Sequence, residues 1–204
     1  MPAASDNDTN LLELIRKTIH DFCLDFVKHP YTCYTEHGQH ALFYSMLMNA
    51  LPEHQRHITL NGNKVCVLQK EYPTAANLDK SKRQHWDIAI LKEPTSRSLT
   101  IIPDYDHLPL LAAIEFGMNE AKEHLEEDIR RLCHKESYVD HPFIVHLYRL
   151  SVSGQLFSSR DWSSKSPLIL DPDQIRKIKN DNPIEIIYGM ADGTGIHENG
   201  VRWI

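Results

Sequence analysis

The chain of 204 residues has no run of about 18 apolar residues, so its sequence offers no transmembrane helix. Nor does it begin with a basic segment followed by an apolar one. Residues 1–9 are small and polar, no secretory signal is expected from them, and a cytoplasmic setting is the expectation. Cysteine is scarce: Cys23, Cys33, Cys66 and Cys133 lie far apart and form no CxxC pair. That spacing argues against a zinc ribbon and a dithiol redox motif, leaving reduced, mostly buried thiols. Internal repeats, low-complexity tracts and Pro/Gly/Ser linkers are missing too, so a single domain over residues 1–204 is expected. An excess of positive charge is also absent, with 22 Lys and Arg against 28 Asp and Glu and a formal net charge of -6. Such a balance speaks against a protein that coats nucleic acid nonspecifically, but leaves room for a local basic groove. Histidine, by contrast, is plentiful at 13 residues, read one by one as ordinary polar groups.

Apolar spacing locates the elements. Leu11, Ile15, Ile19, Phe22 and Phe26 recur at intervals of three and four and predict a first helix, with Asn10 and Glu13 as a capping box. A second helix is predicted over 35–51, with Thr35 as its cap and Pro52 as its stop. One of its faces carries Glu36, His40, Phe43 and Leu47, which puts a carboxylate at the head of a core-facing stripe, a costly place for an uncompensated charge. Two β-prone segments, 58–60 and 64–72, flank Asn61-Gly62-Asn63, a hairpin signal, and a third strand is predicted over 86–91. Residues 110–118 read as a strand buried on both faces, followed by an amphipathic helix over 121–135 and a strand over 143–150. On that helix Glu126 with Arg130 and Glu127 with Arg131 are expected as surface i,i+4 pairs. Beyond Ser151 a helix opened by Asp171-Pro172 and a strand near 184–188 form a tail expected to be peripheral.

The acidic residues occupy particular places in this order. Strand alternation sets Leu111, Ala113, Glu115 and Gly117 on one face, so Glu115 intrudes on an apolar row. Asp87 shares a face with Ala89 and Leu91, and Val67, Gln69 and Glu71 share another. If these faces coincide, several carboxylates converge, and without a cation at least one is driven toward its protonated form. An all-oxygen cluster suits Mg²⁺ or Mn²⁺, which accept phosphate oxygens as further ligands and lower the pKa of a bound water.

The order helix, three strands, helix, strand resembles the core of the PD-(D/E)XK nuclease superfamily, the restriction endonuclease-like fold, over about residues 34–150. That resemblance implies an α/β fold of αβββαβ order with a mixed central sheet flanked by helices. The family carries an acid on the first helix, an Asp on the second core strand and Glu-x-Lys on the third. Here Glu36 matches the helix acid, Asp87 in HWDIAIL the strand Asp, and Glu115 in LAAIEFGMN the Glu. The resemblance implies that Asp87, Glu115 and Glu36 hold Mg²⁺ or Mn²⁺ with the main-chain carbonyl of Phe116, supported by Gln69 or Glu71 of LQKEYP. The departure is Gly117, which stands where the family has its water-orienting lysine. Loss of one such donor costs about 3–4 kcal/mol, or roughly 10²–10³ in rate. Lys122 is the preferred replacement, ahead of Lys70, which alternates to the face opposite Gln69.

The expected function is metal-dependent hydrolysis of nucleic-acid phosphodiester bonds, with DNA as partner, no membrane, and homodimerisation open. The alternative is a catalytically degenerate module of the same fold that binds nucleic acid or protein. A third possibility is an unrelated α/β interaction protein whose acids never meet. Each acid also has a plain structural reading: Glu115 as a buried acid satisfied by Arg, Asp87 as a partner of Arg83 or His85, and Glu36 as a first-turn acid favoured by the helix dipole. The basic patch Lys80, Lys82 and Arg83 reads as a solvated loop or as a phosphate contact.

Overall fold

A computed structural model describes residues 6–60, 62–74, 84–92, 108–150, 169–191 and 200–204. Lys80, Lys82 and Arg83 lie outside this set. Helices α1 (Asp6–Lys28) and α2 (Glu36–Ala50) precede a small hairpin of β1 (His57–Leu60) and β2 (Asn63–Cys66). Next come β3 (Leu68–Pro73), β4 (His85–Leu91), β5 (Leu110–Met118), α3 (Lys122–Leu132), β6 (Val139–Arg149), α4 (Pro172–Lys179), β7 (Glu185–Ala191) and β8 (Val201–Trp203). The protein is α/β, and β3 to β8 line up in sequence order as one six-stranded mixed sheet. Pairing is antiparallel from β3 to β5, parallel from β5 through β6 to β7, and antiparallel again at β8.

The continuous apolar run of β5 takes an interior position, its eight residues from Leu110 to Gly117 buried on both faces. Alternation sends Phe116 to the face covered by α1 and α2, where its ring meets Phe22 at 5.7 Å and Phe43 at 5.4 Å, edge to face. Phe22 and Phe43 are themselves 5.6 Å apart, and each such pair adds about 0.5–1.5 kcal/mol beyond area burial. This triad fixes the two helices on β5. Glu115 faces the other way, toward α3.

Several expectations about local structure change. The first helix starts at Asp6, so Asn10 lies inside it and the capping box with Glu13 does not exist. The predicted strand over 64–72 breaks at Val67, whose N–H donates to the Arg56 carbonyl and whose own carbonyl accepts from Leu91 N–H. One half remains in the hairpin and the other enters the main sheet. The tail is not peripheral: β7 lies between β6 and β8, and α1 packs over it. The α2 prediction, in contrast, matches closely, since the Thr35 hydroxyl accepts from Gly38 N–H at 3.0 Å and the helix ends at Ala50, before Pro52. The four cysteines are free thiols.

Candidate metal centre

Register sets the strand acids side by side, while Glu36 stays on the α2 side in a group with His40 and Asp87 that leaves Glu115 out. Lys70 pairs with Ile88 and Tyr72 with Trp86, which sets Glu71 opposite Asp87; Glu71 itself is left-handed, at φ 52°. The β4–β5 ladder stops at the pair Ile88 and Ile114, one step short of Asp87 and Glu115. There the strands part, and the Asp87 carboxylate accepts the Phe116 N–H at 2.8 Å in place of a backbone partner. That bond keeps Asp87 near the plane of the sheet, within reach of both faces.

On the α3 side it meets Glu115, which is buried. Burial first, then the negative charges of Asp87 and Asp128, push the Glu115 carboxyl well above the usual range, against the pull of Arg131. Arg131 bonds Glu115 at 2.7 Å and Asp128 at 3.2 Å, and stacks 5.3 Å above the Trp86 ring. The Asp128 carboxyl is also raised, to about 6, by burial, opposed by His124 and Arg131 and reinforced by Asp87 and Glu120. Glu115 and Asp128 thus share one guanidinium, with His124 3.2 Å from Asp128 and the Asp87 carboxylate adjoining.

On the α2 side Asp87 meets His40, whose Nε2 lies 3.7 Å from the Asp87 carboxylate and 3.8 Å from that of Glu36 one turn back. Oxygen and nitrogen atoms of Glu36, His40 and Asp87 fall within 4.8 Å of one another, as do those of His37, His40 and Glu71. Burial lowers the His40 pKa, with Asp87 pulling the other way, which favours the uncharged ring. Its ring is wedged 4.9 Å from Phe116.

Other proposed residues take different positions. The Gln69 amide donates to the Cys66 carbonyl at 2.6 Å. Glu71 lies 3.6 Å from Lys70 and 3.7 Å from His37. Phe116 joins the strand acids through its main chain, with its N–H already given to Asp87. Lys122 pairs with Glu126 at 3.2 Å on an exposed surface. The expected i,i+4 pairs are replaced: Arg130 reaches Glu127 at i,i+3, and Arg131 turns inward to Glu115. A Cβ at Gly117 would meet His146 Nδ1 at 3.3 Å, which would have to give by a few tenths of an ångström, and Glu120 Cβ at 3.5 Å, an ordinary contact.

Sequence reading missed His40, Asp128 and Arg131. His40 was visible in the stripe with Glu36, since a histidine on a core-facing row beside an acid implies a partner for both. Arg131 and Asp128 carried no such signal, because mixed charges on an amphipathic helix read as a solvated face. Among the described residues, no helix is long and apolar enough to cross a membrane. No protein-family model, curated protein or solved structure matches the chain.

Proposed function

We propose that the protein is a divalent-cation-dependent nuclease of PD-(D/E)XK type, hydrolysing phosphodiester bonds in nucleic acid, with DNA as the substrate to try first. The observation that carries this reading is the meeting of Asp87 and Glu115 where β4 and β5 part. Strand order and direction support it, because α2, β3 to β5, α3 and β6 follow the αβββαβ sequence that the family uses. The donor set suits Mg²⁺ or Mn²⁺: Asp87 and Glu115 would hold the ion with the Phe116 carbonyl, and Glu36, placed with His40 on the α2 side, would have to reorient to join them. Bound there, the ion would supply Lewis acidity toward a phosphoryl oxygen and acidify a water.

The chain's own residues have separate tasks. Phe116 N–H aims the Asp87 carboxylate, and the α1–α2 aromatic triad fixes the strand that presents both. Arg131 takes over from Lys122 as the group that supplies positive charge in place of Gly117, being already 2.7 Å from Glu115. The test is cleavage of plasmid and single-stranded DNA with Mg²⁺ or Mn²⁺. Asp87→Asn is expected to lower the rate by roughly 10²-fold or more. Equal rates for variant and wild type would sink the reading.

A second reading is a non-catalytic binding module of the same fold. It is favoured by the Arg131–Glu115 pair, which already neutralises part of the charge, and by Gly117, which supplies no side chain where the resemblance calls for a lysine. Its mark would be intact folding and no cleavage under any of these ions.

A further inference from the structure

We propose that Glu36, His40 and Asp87 form a site for a first-row transition-metal dication, of the Zn²⁺ kind, that prefers such ions over Mg²⁺. The proposal shares Glu36 and Asp87 with the hydrolytic reading and rests on it only for that shared location. Its own footing is His40. Both ring nitrogens of this buried residue lack a hydrogen-bond partner among the described residues, and its side chain is 1% exposed. An imidazole with two orphaned nitrogens in a protein interior is costly, and a native site normally satisfies at least one of them.

The spacing indicates what would satisfy it. At 3.7 Å and 3.8 Å from the two carboxylates, Nε2 is too far for a hydrogen bond to either. Two donors each about 2.1 Å from one ion, at tetrahedral to trigonal angles, lie about 3.4–3.6 Å apart. A contraction of a few tenths of an ångström would therefore bring Nε2 to that spacing from both carboxylates, whose oxygens lie within 4.8 Å of each other and would close on the ion as it binds. The ligands are also held in place. Glu36 and His40 are one helical turn apart on α2, under the Thr35 cap, and Asp87 is fixed by Phe116 N–H.

Ligand chemistry decides the class of ion. An imidazole with two carboxylates binds Zn²⁺, Co²⁺ or Mn²⁺ readily, whereas Mg²⁺ is held by oxygen and keeps its waters. The neighbouring group of His37, His40 and Glu71 is the weaker candidate. His37 is 74% and Glu71 45% exposed, so both side chains are solvated and must be ordered for binding.

The test is calorimetric titration of the full, chelator-stripped chain with Zn²⁺ alone and with Mg²⁺ alone. One Zn²⁺ per chain is expected, bound at least about 100-fold more tightly than Mg²⁺. Glu36→Gln and His40→Gln should each weaken Zn²⁺ binding at least about tenfold, the first serving as the check because its side chain is partly exposed and tolerates the change. With Co²⁺, an imidazole N–H proton signal shifted by the paramagnetic ion should be present in wild type and missing in His40→Gln. The proposal is overturned if both variants bind like wild type, if Zn²⁺ and Mg²⁺ bind alike, or if Glu71→Gln abolishes binding while Glu36→Gln does not. Zn²⁺ binding that depends on His40 without DNA cleavage would defeat the nuclease reading alone. Mg²⁺-dependent cleavage without His40-dependent Zn²⁺ binding would defeat this proposal alone.

Discussion

At the residue scale, Arg131 illustrates how a charged surface pattern conceals a buried role. Its guanidinium is the counter-ion of both Glu115 and Asp128, whose side chains are 6% and 3% exposed. Arg131→Met would leave Glu115 buried without its cation and Asp128 with His124 alone, and breaking such a pair costs about 3 kcal/mol or more. Urea denaturation should show that loss, and Arg131→Met combined with Glu115→Gln should recover part of it. His146 gives a pH dependence. Burial, helped by the charge of His124, pushes its pKa down to about 4, and its Nε2 meets the Tyr148 hydroxyl at 2.9 Å. A histidine depressed in the fold stays neutral there, so its contribution is complete above about 6.5 and is lost as pH falls from there to about 4. The full span is worth about 3 kcal/mol. Asp128, raised to about 6, acts with the opposite sign over part of that range. The difference between wild type and His146→Gln, measured by denaturation at pH 7 and pH 4, isolates the histidine; equal pH slopes would refute the assignment.

At the element scale, the start of α2 carries much of the site. Glu36, His37 and His40 occupy its first turns, and Thr35 sets where those turns begin. Thr35→Ala should cost about 1 kcal/mol in stability and weaken any metal bound through Glu36 and His40. Thermal denaturation with and without Zn²⁺ separates the two effects, since an equal loss in both would show that the cap does not position the ligands. The helix and both site strands were readable in advance because their patterns are local: a cap, a proline stop, an apolar run. The break at Val67 was not, since the run over 64–72 has no breaker residue and the strand divides only because two different partners claim its halves. The fate of Arg131 was hidden for a related reason, as helical spacing alone allows both a solvated pair and an inward turn.

At the scale of the whole molecule, the weakly patterned C-terminal region turns out to complete the core. Ile184, Ile186 and Ile187 are buried, β7 pairs in parallel along β6 from Phe143 to Arg149, and Arg16 of α1 is bonded to Glu185. A chain ending at Leu150 would expose one side of β6 and uncover α1. It should fail to fold cooperatively, giving aggregation and no sharp thermal transition by circular dichroism. A soluble truncated chain with a native-like transition would show that the region is an appendage.

The sequence by itself determined the order of helices and strands as far as β7, apart from the division at Val67, together with the burial of β5, the cap of α2 and the identity of Asp87, Glu115 and Glu36 as the acids to watch. Those features follow from periodicity and from the cost of burying charge, both local properties of the chain. Only the tertiary structure decided which acids meet, that Arg131 and His40 join them, that Lys122 stays outside, and that the tail enters the sheet. The reason is physical: a carboxyl's surroundings depend on strand register, on where a ladder parts and on which way a flexible side chain turns, and these are fixed by contacts between segments distant in the chain.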